Sequence, residues 1–275
     1  MFKGHFEISH SDYKDYKVCP YRFLLKYKLK QQGIYPRSPN SRKFLDGWCV
    51  HKCLELWNKL GRWESGWLQE AVVIPKDDRV GFRLSHRDVS QCNLIDQVID
   101  KYLEKNIVIW SSNFDRSQAV ENIRQGLHLL DYWVPVLELN RTAIESEHFF
   151  KISSRKLNVI VKGYVDLVDR ENLAIYDMKF SKSGYTDWEQ LFWYGLLISL
   201  ETGKKIQKVA TFNPLNDYPI EEKLCDVDTF KSAANQIVEF VGDIRSGKLD
   251  PCPGDGCFNC AVGKECEYNT YKRIA

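Results

Sequence analysis

The chain has almost no net charge, no long hydrophobic run, no internal repeat and no low-complexity tract. Each absence removes a class of protein. Lys+Arg 39 against Asp+Glu 37 leave a formal charge of +2, so any basic groove has to be local. Residues 1–10 contain no apolar run, and no secretory leader is expected. The longest apolar stretch, 191–200, is too short to span a bilayer. The expected location is therefore cytoplasmic, with nucleoid association or a phage origin both compatible. No Gly-x-x-x-x-Gly-Lys-Ser/Thr segment occurs, so no ATP motor of the P-loop type is expected.

What is present supports a sizeable core. In 275 residues, 44% are hydrophobic and 13% aromatic, enough for one elaborated α/β domain. Nine cysteines without a leader argue against a disulfide scaffold and for metal binding. Cys257-x-x-Cys260 and Cys266 sit in a Gly/Pro-rich tail unsuited to a core. Three thiolates lack the fourth ligand of a closed site, and either Cys252 or the distant Cys19 could supply it. Cys49, Cys53, Cys92 and Cys225 read as small hydrophobes.

The segment 163–194, GYVDLVDRENLAIYDMKFSKSGYTDWEQLFWY, organises the rest. It predicts strand, tight turn, second strand over 173–180, loop and helix. Asp177 and Lys179 alternate onto one face. An even turn that pairs Val168 with Leu173 sets Asp166 opposite Ile175 and diagonal to Asp177. Two carboxylates at that spacing, about 7–8 Å between diagonal Cα atoms, can share a divalent cation. An odd turn would turn Asp166 away. In the following helix, Gln190 and Tyr194 share a face one turn apart.

Elsewhere, Ser9 or Ser11 is suited to cap a first helix, and Cys19-Pro20 to break it and start a second. A helix over 41–60 carries Gly47, His51 and Glu55. Residues 61–142 read as a mainly helical insertion, with apolar spacing over 89–103 and 117–139. Residues 143–152 alternate as a strand, with Glu145, Glu147 and Phe149 on one face. Strands over 204–212 and 220–224 and a helix over 228–244 complete the pattern.

The array Gly-Tyr-Val-Asp166, Asp177-Met-Lys179 and Gln190-x-x-x-Tyr194 resembles the PD-(D/E)XK nuclease superfamily and, within it, the RecB-like branch. Gly47-x-x-x-His51-x-x-x-Glu55 looks like that branch's helix before the catalytic sheet. The resemblance implies a central mixed sheet flanked by helices in a restriction-endonuclease-like core, one domain over 1–275. It implies Asp166, Asp177, Lys179, Gln190 and Tyr194 as catalytic residues. It also implies His51, Asp166, Asp177 and the Met178 carbonyl as ligands of Mg2+ or Mn2+, with imidazole favouring manganese. Glu147 is a further acid near the metal, and Glu55 a supporting or surface acid. AddB-type and CRISPR-associated relatives place one cysteine before the core and three after it. Cys19, Cys257, Cys260 and Cys266 match that layout, implying a 4Fe–4S cluster that joins residues 1–30 to 250–275, with zinc the rival occupant.

The implied activity is hydrolysis of DNA phosphodiesters, on single strands or ends, in recombination, repair or replication. A helicase or recombination protein would be a separate partner. The alternatives are a structure-specific endonuclease and a DNA-end-binding module that does not cut.

Overall fold

The computed structural model describes residues 4–34, 51, 72–76, 79–83, 144–179, 185–213, 220–258, 260–269 and 271. A short strand β1 (Phe6–Ile8) leads into helices α1 (His10–Val18) and α2 (Pro20–Gln31). Ser9 caps α1 in a reciprocal box with Asp12, and Pro20 opens α2 where its missing N–H costs nothing. Strands β4 (Ile144–Ser154), β5 (Val159–Asp169) and β6 (Ala174–Met178) follow a separate hairpin, β2 (Val72–Lys76) and β3 (Arg79–Arg83). Helix α3 (Trp188–Thr202), strands β7 (Lys208–Phe212) and β8 (Ile220–Leu224) and helix α4 (Val227–Ser246) complete the core. Asp187 caps α3, and Gly203 ends it in the left-handed conformation that costs glycine least.

Six strands form one mixed sheet, ordered β1-β5-β6-β7-β8 with β4 on the far edge of β5. β1 runs parallel to β5 and β6 parallel to β7, while the β4–β5, β5–β6 and β7–β8 pairs are antiparallel. One feature of β5 matters most. Along one edge it pairs with β4 over its whole length except at Asp166. Along the other it pairs with β1 through Val161 and with β6 only from Leu167. Between these, residues 162–166 face a notch, and the C-terminal ends of β1 and β6 point into it from opposite sides.

The core lies between the sheet and α1–α4. Tyr13 stacks near Trp193 and Phe240, with ring centroids 4.8 and 5.5 Å apart, and Phe23 meets Phe240 at 5.2 Å. Trp193, Phe23 and Phe240 are fully buried. Each such side chain contributes about 1.5–3 kcal/mol of transfer free energy.

The structure corrects several sequence expectations. Within 61–142 the described residues 72–76 and 79–83 are paired strands where no strand was expected, and Val72, Val73, Ile74 and Val80 are β-branched residues that favour strand. The remainder of that insertion, and the 41–60 helix apart from His51, lie outside the described residues. The second hairpin strand ends at Met178 rather than Phe180. β1 has only three residues, too few for alternation to reveal.

The β5–β6 hairpin also has a different register. Asp169, not Val168, is the last paired residue, and it pairs with Ala174. The loop still holds four residues, 170–173, so parity is kept. Buried Asp169 accepts the Glu171 and Asn172 backbone N–H groups at 3.0 and 2.9 Å. Leu173 takes φ 50° to finish the turn. The ladder slides by two residues overall, and its continuation sets Asp166 directly opposite Asp177 rather than Ile175.

Candidate active site

The notch in the sheet edge is where the polar residues collect. β5 and β6 part beyond Leu167–Tyr176, which leaves the Met178 N–H without a ladder partner on β5. Asp166 Oδ2 takes that proton at 2.7 Å. Its other oxygen, Oδ1, lies 3.5 Å from His51 Nδ1, and the same nitrogen lies 3.5 Å from Glu147 Oε1. Ligand atoms of His51, Glu147 and Asp166 all fall within 4.8 Å of one another. Glu147 reaches this position because its backbone takes φ 51° within β4, where the β4–β5 pairing skips a step. It therefore departs from the regular alternation expected with Glu145 and Phe149.

Lys179 continues β6 through its own N–H to Phe212 O at 2.9 Å. Its Nζ stands 2.6 Å from Asp177 Oδ2. Asp177 and Lys179 thus form one pair, and Asp166 with His51 and Glu147 another. The structure places His51, Asp166, Asp177 and Lys179 in one neighbourhood, and the ligand-atom cluster within it is His51, Glu147 and Asp166, without Asp177.

The electrostatics show what the site demands. Burial works against charge on His51, yet Asp166 and then Glu147 push it up to about 10. Burial also raises Asp166, but His51, the Met178 N–H and Lys179 hold it below the ordinary carboxylate range. Asp177 is raised, by burial first and by the Asp166 charge second. Carboxylates that draw a buried imidazole into its protonated form create a field that a divalent cation would satisfy. One imidazole nitrogen with carboxylate oxygens is a donor set suited to manganese or magnesium.

Helix α3 packs on β4 and β5 through Tyr194, whose ring lies 5.3 Å from that of Phe150. Gln190 Nε2 donates to Tyr194 OH at 3.1 Å, so the two residues are linked. The Tyr194 hydroxyl is pushed up to about 12 by burial, with the Asp166 and Asp177 charges among the further causes. Its ring packs close over β5 because residue 163 is glycine. A Cβ there would lie 2.7 Å from the Phe150 ring and 3.2 Å from Tyr194.

Lys14 on α1 pairs with the cap residue Asp187 at 2.7 Å and ties α1 to the start of α3. His10 packs beside Trp193 and Tyr194, at centroid distances of 5.1 and 6.4 Å. The contacts of Lys14 and His10 had no sequence signal, because they link α1 to a helix more than 170 residues away.

The expected cysteines also meet. Cys19 stands at the α1–α2 junction, and its Sγ accepts the Cys252 backbone N–H at 3.3 Å. Cys257 ends a 3-10 turn, and Cys260 N–H returns to Cys257 O at 3.3 Å. The Cys266 thiol is pushed up by burial and then by its neighbours Cys260, Cys19 and Cys257. Tyr21 OH donates to Glu267 at 3.1 Å and its ring meets Tyr268 at 5.1 Å, so α2 and the tail are joined beside the thiols. Cys252 contributes a backbone proton to this cradle, and its own side chain is exposed. Cys225 is buried, as a small hydrophobe should be.

A mixed sheet whose parted strands present two aspartates and a lysine, beneath a helical Gln-x-x-x-Tyr, defines a phosphodiester-hydrolysing class. The sequence signature of the PD-(D/E)XK nuclease superfamily matches residues 7–267, and the chain belongs to that superfamily of metal-using nucleases.

Among solved structures, the chain is similar to one from Eubacterium rectale that carries a provisional exonuclease assignment. That likeness has 13% identity and a TM-score of 0.46, over 89% of this chain and 83% of that one. It is also similar to the structure of SSO0001, with 17% identity and a TM-score of 0.32, over 90% of this chain and 96% of that one. No curated protein matches the chain. Among the described residues no helix is long and apolar enough to cross a membrane.

Proposed function

We propose that the protein is a Mg2+- or Mn2+-dependent deoxyribonuclease of the RecB-like branch, acting on single-stranded DNA or DNA ends. The observation that carries this reading is the convergence of Asp166, Asp177 and Lys179 at the notch, with His51 and Glu147 facing Asp166.

His51, Glu147 and Asp166 would hold the cation, with Asp177 and the Met178 carbonyl beside them. The cation, when bound, supplies phosphate polarisation and a more acidic water. The chain's own residues do the rest. The Met178 N–H fixes one Asp166 oxygen and leaves the other directed to the ligand set. Lys179 carries a positive charge beside Asp177, where it stabilises charge that develops on the phosphoryl oxygens. Gln190 and Tyr194, joined to each other, orient Lys179 or the DNA backbone from above.

Cys19, Cys257, Cys260 and Cys266 would hold a 4Fe–4S cluster in preference to zinc. A backbone N–H on the Cys19 sulfur is the kind of hydrogen bond that stabilises cluster thiolates. The cluster would staple the N-terminal helices to the tail. A helicase or recombination protein would act as a separate partner.

The test is cleavage of end-labelled linear and circular single strands with each metal, comparing wild type with Asp177→Asn. Metal-dependent loss from ends of the linear strand, absent in the variant, is the expected result. Cutting of the circle would make the enzyme an endonuclease. Binding without cutting would make it an end-binding module.

A further inference from the structure

β4 and β5 carry two cross-strand rungs of one face next to the point where Glu147 and Asp166 drop out of the ladder. The first is Phe149 opposite Tyr164, and the second is Lys151 opposite Lys162. Strand alternation sets the aromatic and lysine rungs on the same face, about 7 Å apart. Phe149 and Tyr164 are 45% and 58% exposed, although both are large aromatics in the middle of long strands. Their ring centroids lie 4.9 Å apart at an interplanar angle of 45°. Among the described residues the core packs against Gly163, Val165 and Phe150, on the opposite face of the same strands.

We propose that Phe149 and Tyr164 form a stacking platform for an unpaired base of the nucleic acid whose phosphates reach the notch. The proposal rests on the nuclease reading and names the strand state of its substrate. Exposed rings stack bases without regard to sequence and contribute about 1–3 kcal/mol per base. A base within a duplex is already stacked on its neighbours and cannot use them.

The flanking charges agree with this path. Lys151 pairs with Glu7 at 2.7 Å and Lys162 pairs with the same carboxylate. Two lysines against one glutamate leave that rung with a net positive charge beyond the rings, suited to a phosphate. On the notch side, the carboxylates need a cation before a phosphate can approach. A strand crossing the rungs would thus meet a lysine pair, a ring pair and the ligand set in turn.

The test is binding of fluorescent oligo-dT and of a blunt duplex with Ca2+ in place of Mg2+ or Mn2+, every protein carrying Lys179→Ala so that cutting is suppressed. The variants are Phe149→Ala/Tyr164→Ala, Phe149→Leu/Tyr164→Leu and Tyr164→Trp. The leucine pair keeps an apolar strand surface and covers the case in which the alanine pair fails to fold.

The expected result is a tenfold or greater loss of oligo-dT affinity in the leucine pair, unchanged affinity in Tyr164→Trp, and duplex binding changed less than twofold. Unchanged oligo-dT affinity in the leucine pair, or an equal loss for duplex, overturns the proposal. So does conversion of a dimer to a monomer at unchanged affinity, which would make the rings a contact between copies. Should these rings bind oligo-dT while wild-type protein fails to cut it with Mn2+ or Mg2+, the nuclease reading fails and the platform stands.

Discussion

Asp166 Oδ2 accepts the backbone N–H of Met178 at 2.7 Å, at the point where β5 and β6 cease to pair. A side chain thus replaces the next ladder hydrogen bond. The bond holds the fork open and leaves the second Asp166 oxygen facing His51 and Glu147.

Lys179→Ala should lower Mn2+-dependent cleavage about 10²–10³-fold, the cost of removing one preorganised charge from a transition state. Thermal unfolding should move less than activity, because Lys179 is partly exposed and Asp177, already raised by burial, can take up a proton when its partner is removed. Single-turnover cleavage of labelled DNA with calorimetry on the same sample measures both. Full activity in this variant would remove Lys179 from the chemistry.

Gly163→Ala should cost about 1–3 kcal/mol, because the new methyl meets the buried Phe150 ring at 2.7 Å and Tyr194 at 3.2 Å. Tyr194 would be displaced, so turnover should fall further than stability alone explains. Denaturant unfolding and kcat, measured below the variant's Tm, separate the two effects.

Folding stability should fall as pH drops from about 6.5 to about 4. Burial against Tyr13, Trp193 and Tyr194 depresses His10 to about 4, with the nearby Asp187 charge opposing the shift and Lys14 adding to it. In this window the unfolded chain binds a proton that folded His10 refuses, so the His10 contribution to stability rises with pH and is fully present above 6.5. The span is on the order of 3 kcal/mol. Urea unfolding of wild type and His10→Phe across pH 4–7 should show a smaller slope in the variant. Equal slopes would exclude His10 as the source.

Cys257→Ser should bleach the purified protein, lower its iron content and reduce its Tm, since the cradle joins Cys19 at the α1–α2 junction to the tail. Visible absorbance, iron analysis and calorimetry read these three changes. A colourless wild type containing stoichiometric zinc would assign the cradle to zinc instead.

The site residues were readable because each lies in a local pattern. Asp177 and Lys179 alternate on one strand, Gln190 and Tyr194 share a helix face, and Cys257 and Cys260 share a turn. The register between Asp166 and Asp177 was not readable. It depends on Asp169 folding its carboxylate onto the Glu171 and Asn172 N–H groups, which starts the turn one residue later than composition suggests. The position of Glu147 was only half visible. Its acid lies on the expected strand, but a left-handed backbone and the approach of His51 bring it beside Asp166.

By itself the sequence determined the strands and helix around 163–202 and the side-chain types gathered there, because periodicity and short spacings encode such things directly. The grouping of Cys19 with the tail cysteines came from the family resemblance and not from spacing. The tertiary structure alone decided that β1 and β6 meet head-on along one edge of β5. It also decided that the notch left between them gathers His51, Glu147 and Asp166. Long-range pairing chooses among partners whose local patterns are alike, and only the packed whole, with α3 seated over Gly163, makes one choice lowest in free energy.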